Sequence, residues 1–332
     1  MMQIAFIGIG AGAAAALLFA SMSSGSWLSV ALFYLAPLPI MIAGIGWSHW
    51  AALIAALSGA LALGAAFSSV FFLAFLTSAG LPAWWLSYLA MLARPAVAGS
   101  VAAPPGTSLE WYPPGRLLLW AALLAAGMVV IAIPALGLTA ETFHAALSEK
   151  LTDLLRTQTG TIAGAPLTLP GVSDPAQLID FLANAIPPTA AVIATITNAT
   201  NLWLAARVVT FSGRLRRPWP VLADMRVPRP AAAALVIAVV LSFVGGLVGL
   251  AAGIVGASLL MAFGLLGFAV LHAVTQGMQA RGFLLGGAYA AVFVLGWPIL
   301  ALALLGFIDT IFDLRARIAR KRARAISDHQ RN

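Results

Sequence analysis

The stretch PAAAALVIAVVLSFVGGLVGLAAGIVGASLLMAFGLLGFAVLHAVTQGMQA, residues 230–280, runs without a single Lys, Arg, Asp or Glu. At about 1.5 Å of rise per residue, some 20 apolar residues cross the roughly 30 Å hydrocarbon core of a bilayer, so this stretch is written for lipid. A charge at mid-membrane costs about 2.5–3.5 kcal/mol on insertion scales, which is why the run excludes them. Two further tracts share its character: 1–109, where Arg94 is the sole charge, and 282–308, which has none.

Composition extends the point to the whole chain, with 62% hydrophobic and 8% charged residues and a mean hydropathy of +1.00. Soluble domains carry roughly 45–50% apolar and about 25% charged residues, so a soluble globular protein is excluded. The expected fold class is all-α, a polytopic transmembrane helical bundle. Cutting the tracts at Gly, Pro and small polar punctuation yields segments 4–20, 27–45, 50–66, 67–79, 82–93, 116–136, 185–206, 230–250, 253–275 and 283–307. That is about eight to ten helices crossing or entering the bilayer. Segments 67–79 and 82–93 are about half a span each, parted by Gly80-Leu81-Pro82, and are expected as short helices or a re-entrant pair. Segment 4–20 lacks a basic leader and runs at once into more apolar sequence, the pattern of a retained first span.

Charge then orients the chain. N-terminal membrane helices, 1–137, are followed at 138–183 by a loop with Glu141, Glu149, Asp153, Asp174 and Asp180 against Lys150 and Arg156, which is expected outside the cytoplasm. C-terminal membrane helices, 184–308, enclose a basic loop at 207–229 with Arg207, Arg214, Arg216, Arg217, Arg226 and Arg229 against Asp224. The tail, 309–332, is basic as well. The positive-inside rule places loop and tail in the cytoplasm of a bacterial inner membrane, facing anionic lipid, and this accounts for the formal charge of +8 without nucleic acid. Three segments after residue 230 would nevertheless put tail and loop on opposite sides. A break is therefore expected at 245–256 or at Gly296-Trp297-Pro298.

Within the acidic loop, Phe143, Leu147, Leu151, Leu154 and Leu155 recur at helical spacing, predicting an amphipathic helix on the membrane surface. Asp174-Pro175 reads as the cap and first turn of the helix that becomes the next span.

Cysteine is absent, which removes disulfides and thiolate chemistry. No phosphate loop, paired intramembrane acids or Ser-His-Asp set is present, so neither enzyme activity nor a cofactor is expected. The polar candidates are Thr195, Asn198 and Asn201 in segment 185–206, and His272 and Gln276 in segment 253–275. Polar groups at membrane depth mark either helix-to-helix hydrogen bonding or a ligand site, and together these five are the expected ligand-binding set. One histidine without carboxylates is too little for a metal. Gly8, Gly12 and Ala16 repeat at small-xxx-small spacing, either as packing within the chain or as a docking face for a membrane partner. Asp309, Asp313 and Arg315 stand where the last helix leaves the bilayer, and the aspartates are expected to pair with nearby arginines.

The ending Leu305-Gly306-Phe307-Ile308-Asp309, with Phe312-Asp313-Leu314-Arg315, resembles the closing motif of the YybS-like bacterial membrane proteins, although Leu314 replaces the usual aromatic. Gln276-Gly277 and Trp111-Tyr112-Pro113-Pro114-Gly115-Arg116 are similar to patterns in the same family. The resemblance implies a multi-pass protein of no established activity, distantly similar to the S components of energy-coupling-factor transporters. Those bind a small molecule among their helices and meet a coupling subunit through the first helix, where Gly8, Ala11, Gly12, Ala15 and Ala16 match by residue type. Small-molecule binding or transport is thus the leading expectation, and an envelope-assembly scaffold the alternative.

Overall fold

The computed structural model describes residues 1–95, 109–160, 167–168, 170–318 and 320. Helix α1 (Met2–Ala20) is apolar all round but buries one stripe, Gly8, Gly12, Ala15, Ala16 and Phe19. Helices α2 (Trp27–Tyr34) and α3 (Pro37–Gly46) make one bent span, opened by the Ser26 hydroxyl accepting from the Ser29 amide and bent where Pro37 begins the second helix. Helix α4 (His49–Ala66) follows behind the Ser48 cap. Its small face of Ala51, Ala55 and Gly59 receives the α1 stripe.

Next come α5 (Ser69–Phe75), a π-helical turn at Leu76–Gly80 and α6 (Leu81–Ala90), which run on as one span of 22 residues. This corrects the expectation of two short helices or a re-entrant pair. The wide turn takes up the missing amide of Pro82, and the Thr77 and Ser78 hydroxyls donate back to the carbonyls of Leu73 and Ala74. A small antiparallel ladder, β1 (Ala93–Pro95) and β2 (Leu109–Trp111), sets Arg94 opposite Glu110.

Helix α7 (Pro114–Ala132) is the next span. The amphipathic helix α8 (Ala140–Thr159) is opened by a reciprocal Thr139–Thr142 capping box and closed by Gly160 at φ +68°. Its Phe143 is buried, so α8 is held against the bundle by more than its charged face. Helix α9 (Pro175–Phe211) opens as the sequence indicates, with the Asp174 carboxylate accepting from the amides of Ala176 and Gln177. Its 37 residues reach about 55 Å, so one end stands clear of the hydrocarbon.

After residue 228 the described chain forms four helices: α10 (Arg229–Leu241), α11 (Gly246–Val274), α12 (Arg281–Leu295) and α13 (Ile299–Phe312). Gly245 and Gly246, at φ +81° and +60°, turn the chain between α10 and α11. The expected segment 283–307 is broken at Gly296-Trp297-Pro298, where Gly296 has φ +74°. Four helices replace the three expected segments, and the exit of the last one is bonded to the basic loop, Arg315 donating to the Ala223 carbonyl. Among the described residues seven spans are long and apolar enough to cross a membrane, while α10, α12 and α13 are shorter apolar helices. The protein is a membrane-embedded helical bundle.

Two cores flank α9. One joins α1, α3, α4, α5 and α6 around Ile40, Met41, Phe75 and Leu86, and the other joins α7, α10, α11 and α13 around Phe263, Leu266 and Val270. Several direct contacts gather the basic segments on one face. Arg217 donates to the Ala90 carbonyl at 3.0 Å, Arg315 to that of Ala223 at 2.6 Å, and Arg214 lies over the Trp47 ring at 4.5 Å. Alternation of the spans puts Met1 on this basic face as well, with α8 on the opposite, acidic one.

Candidate functional site

The polar residues of α9 face other helices. The Thr195 and Ser258 hydroxyls are 2.7 Å apart, Ser258 donates to the Ala122 carbonyl at 2.7 Å, and the Asn198 amide donates to Ala121 at 3.3 Å. The Asn201 amide donates at 2.8 Å to the carbonyls of Tyr34 and Thr197, while its own Oδ1 is buried without a hydrogen-bond partner. This seam ties α9 to α2, α7 and α11, as polar side chains do where no water competes. Asn198 also borders a cavity of about 360 Å³ lined by Phe33, Tyr34, Met128, Thr189, Ile193 and Thr197.

His272 belongs to a different cavity, of about 350 Å³. Leu117 and Leu118 of α7, Leu202 and Trp203 of α9, and Leu265 and Phe268 of α11 form its apolar walls. The loop after α9 covers it with Leu215, Arg217 and Trp219. Helix α12 supplies Tyr289, stacked on Phe268 with ring centroids 4.3 Å apart, its hydroxyl 3.0 Å from His272 Nε2. Gln276 lies past the end of α11, exposed and outside the lining of either cavity. The five residues expected to form one site are thus divided: a helix seam with its own cavity, the rim of a second cavity, and the surface.

Arg217 is half-buried in the second cavity's wall and spends one donor on Ala90. Burial pushes its pKa below the usual arginine value, which leaves a guanidinium charged. The nearby arginines are set on aromatic faces, Arg207 at 4.3 Å from the Trp219 ring. None of these residues was singled out in the sequence as a ligand group. The signal was the run Arg216-Arg217-Pro218-Trp219-Pro220, basic and aromatic groups interleaved beside a span.

At the last helix exit, Arg315 grips Asp309 through Nη2 at 2.7 Å and Nε at 3.0 Å, and its backbone amide donates to the same carboxylate at 3.1 Å. Asp313 pairs with Arg226 of the basic loop at 2.7 Å. These contacts hold the helix exit against the loop. The face of Gly8, Gly12 and Ala16 is filled from within: a side chain at Gly8 or Gly12 would strike the Ala51 or Ala55 carbonyl of α4. It is a packing seam, not a free docking surface.

Among the described residues no three His, Asp or Glu stand together as a metal site. No protein-family model, curated protein or solved structure matches this chain.

Proposed function

We propose that this chain is a non-enzymatic membrane protein that holds an amphiphilic small molecule in the cavity between α7, α9, α11 and the loop after α9. The observation that carries the reading is a half-enclosed space of about 350 Å³ with Leu, Phe and Trp walls and three polar side chains in its lining, Arg217, His272 and Tyr289. Apolar pockets with sparse convergent polar groups are the usual form of a ligand site. A molecule reaching it from the surrounding bilayer is one that partitions into lipid.

The resemblance to the YybS-like family, and through it to transporter S components, agrees with such a binding role and with a coupling partner elsewhere on the protein. The basic face is taken as cytoplasmic in a bacterial inner membrane, its loop 207–229 and tail 309–332 against anionic lipid. Native mass spectrometry of protein in mild detergent tests the proposal. A small molecule should co-purify with the wild type and be lost from Ala199→Trp and Ala206→Trp, which fill the cavity; retention unchanged in both ends the reading.

A second reading, an assembly scaffold, is supported by α12, in which no residue is buried and Phe283 and Phe293 are 84% and 91% exposed. It expects a protein instead of a small molecule to co-purify, and to be lost from Phe293→Ser.

A further inference from the structure

Arg217 is a cation in search of an anion. Among the described residues no carboxylate comes within ion-pair distance of it. Of the described acids on the basic face, Glu110 is paired with Arg94, Asp309 with Arg315 and Asp313 with Arg226, while Asp224 is exposed to solvent. A guanidinium carries five N–H donors in a planar fork. One of them is used, on the Ala90 carbonyl. The remaining charge sits in a mostly apolar lining whose other polar side chains, His272 and Tyr289, are paired with each other, where an unpaired ion is poorly solvated and a matching oxyanion is bound through short charge-assisted hydrogen bonds.

The rest of the cavity describes the other end of the ligand. At about 30 Å³ for each water-sized unit, a space of about 350 Å³ has room for about a dozen carbon-sized groups, one hydrocarbon chain. Trp203 and Trp219, of the residue type that favours headgroup depth, line the same cavity as the arginine.

We propose that the occupant of this cavity is an anionic amphiphile, its phosphate or carboxylate head on Arg217 and one hydrocarbon chain between α7, α9 and α11. The proposal rests on the cavity being a ligand site, and it adds the charge of the head. A bilayer phospholipid and a single-chain acid share this chemistry.

The two sources are separated by two experiments on the full chain. In the first, protein in nanodiscs of equimolar phosphatidylglycerol and phosphatidylcholine is released into mild detergent and its retained lipid is read by native mass spectrometry. In the second, detergent-purified protein is titrated with dodecyl phosphate or dodecyltrimethylammonium and bound adducts are read the same way. Wild type should prefer the anion by about tenfold or more, the worth of a charge-assisted hydrogen bond. Preference in the first experiment identifies a bilayer lipid; preference in the second alone identifies a single-chain acid.

In Arg217→Gln the preference should fall to near parity while some adduct persists, and Arg217→Lys should keep part of it. Lys150→Gln, which removes an exposed cation of α8 outside the cavity and away from the basic face, should change nothing. Parity of wild type in both experiments, or a preference undiminished in Arg217→Gln, overturns the proposal, and the wild-type ratios decide it alone if the variants do not assemble. Absence of any adduct in wild type instead overturns the cavity reading beneath it.

Discussion

Asp309 and Arg315 show how much one residue can matter where water is scarce. Their side chains are 3% and 9% exposed, and the guanidinium is also bonded to the Ala223 carbonyl. Removing one partner of a buried pair leaves the other charge uncompensated, at a cost of about 3–5 kcal/mol. Asp309→Asn is therefore expected to lower stability by that order in thermal unfolding in detergent, and Asp309→Asn with Arg315→Met to recover part of it. The Asp313–Arg226 pair is 43% and 59% exposed, so Asp313→Asn should cost no more than about 1 kcal/mol. That aspartates at this exit would pair with arginines was legible from charges grouped at the end of a span. The role of Arg217 was not, because its fixed partner is the carbonyl of Ala90, 127 residues away, and its cavity exists only once the loop has folded over α7 and α9.

Between elements, small residues decide how close two helices come. A methyl group at Gly267 would run into the Leu302 carbonyl of α13, and one at Gly306 into the Phe263 carbonyl of α11. Both obstacles are backbone and cannot swing aside. Gly267→Ala should thus destabilise by about 1–3 kcal/mol through overpacking. Gly286→Ala, on α12 with open space around it, should be neutral or stabilising by up to about 1 kcal/mol. A thermal-unfolding comparison of the two variants checks the seam. Elements with local signatures were readable in advance: the Asp174 cap of α9 and the amphipathic spacing of α8 both act within one or two turns. The π turn that fuses α5 to α6 was not, since Gly80-Leu81-Pro82 looks like a break unless the wider turn absorbs the proline. The ladder of β1 and β2 was missed because three-residue strands carry too little alternation to stand out.

For the molecule as a whole, the decisive question is which ends share a side. Taking 230–250, 253–275 and 283–307 as three full crossings sends the tail to the face opposite the arginine loop. The folded chain instead breaks the last segment at Gly296-Trp297-Pro298 and bonds Arg315 to Ala223 of that loop at 2.6 Å. Loop, helix exit and, by alternation, the N-terminus then lie together, away from α8. The chain has no cysteine, so single introduced thiols report position without background. In intact cells a membrane-impermeant maleimide should label Ser23→Cys, beyond the end of α1, and Thr157→Cys on α8. It should label Met2→Cys, Arg216→Cys and Arg317→Cys only after the membrane is opened. Labelling of Arg317→Cys from outside, with Arg216→Cys protected, would restore the three-crossing arrangement and break the contact between α13 and the basic loop. Protection of both, with Thr157→Cys reactive, leaves four helices after the loop as the arrangement that returns the tail to its side.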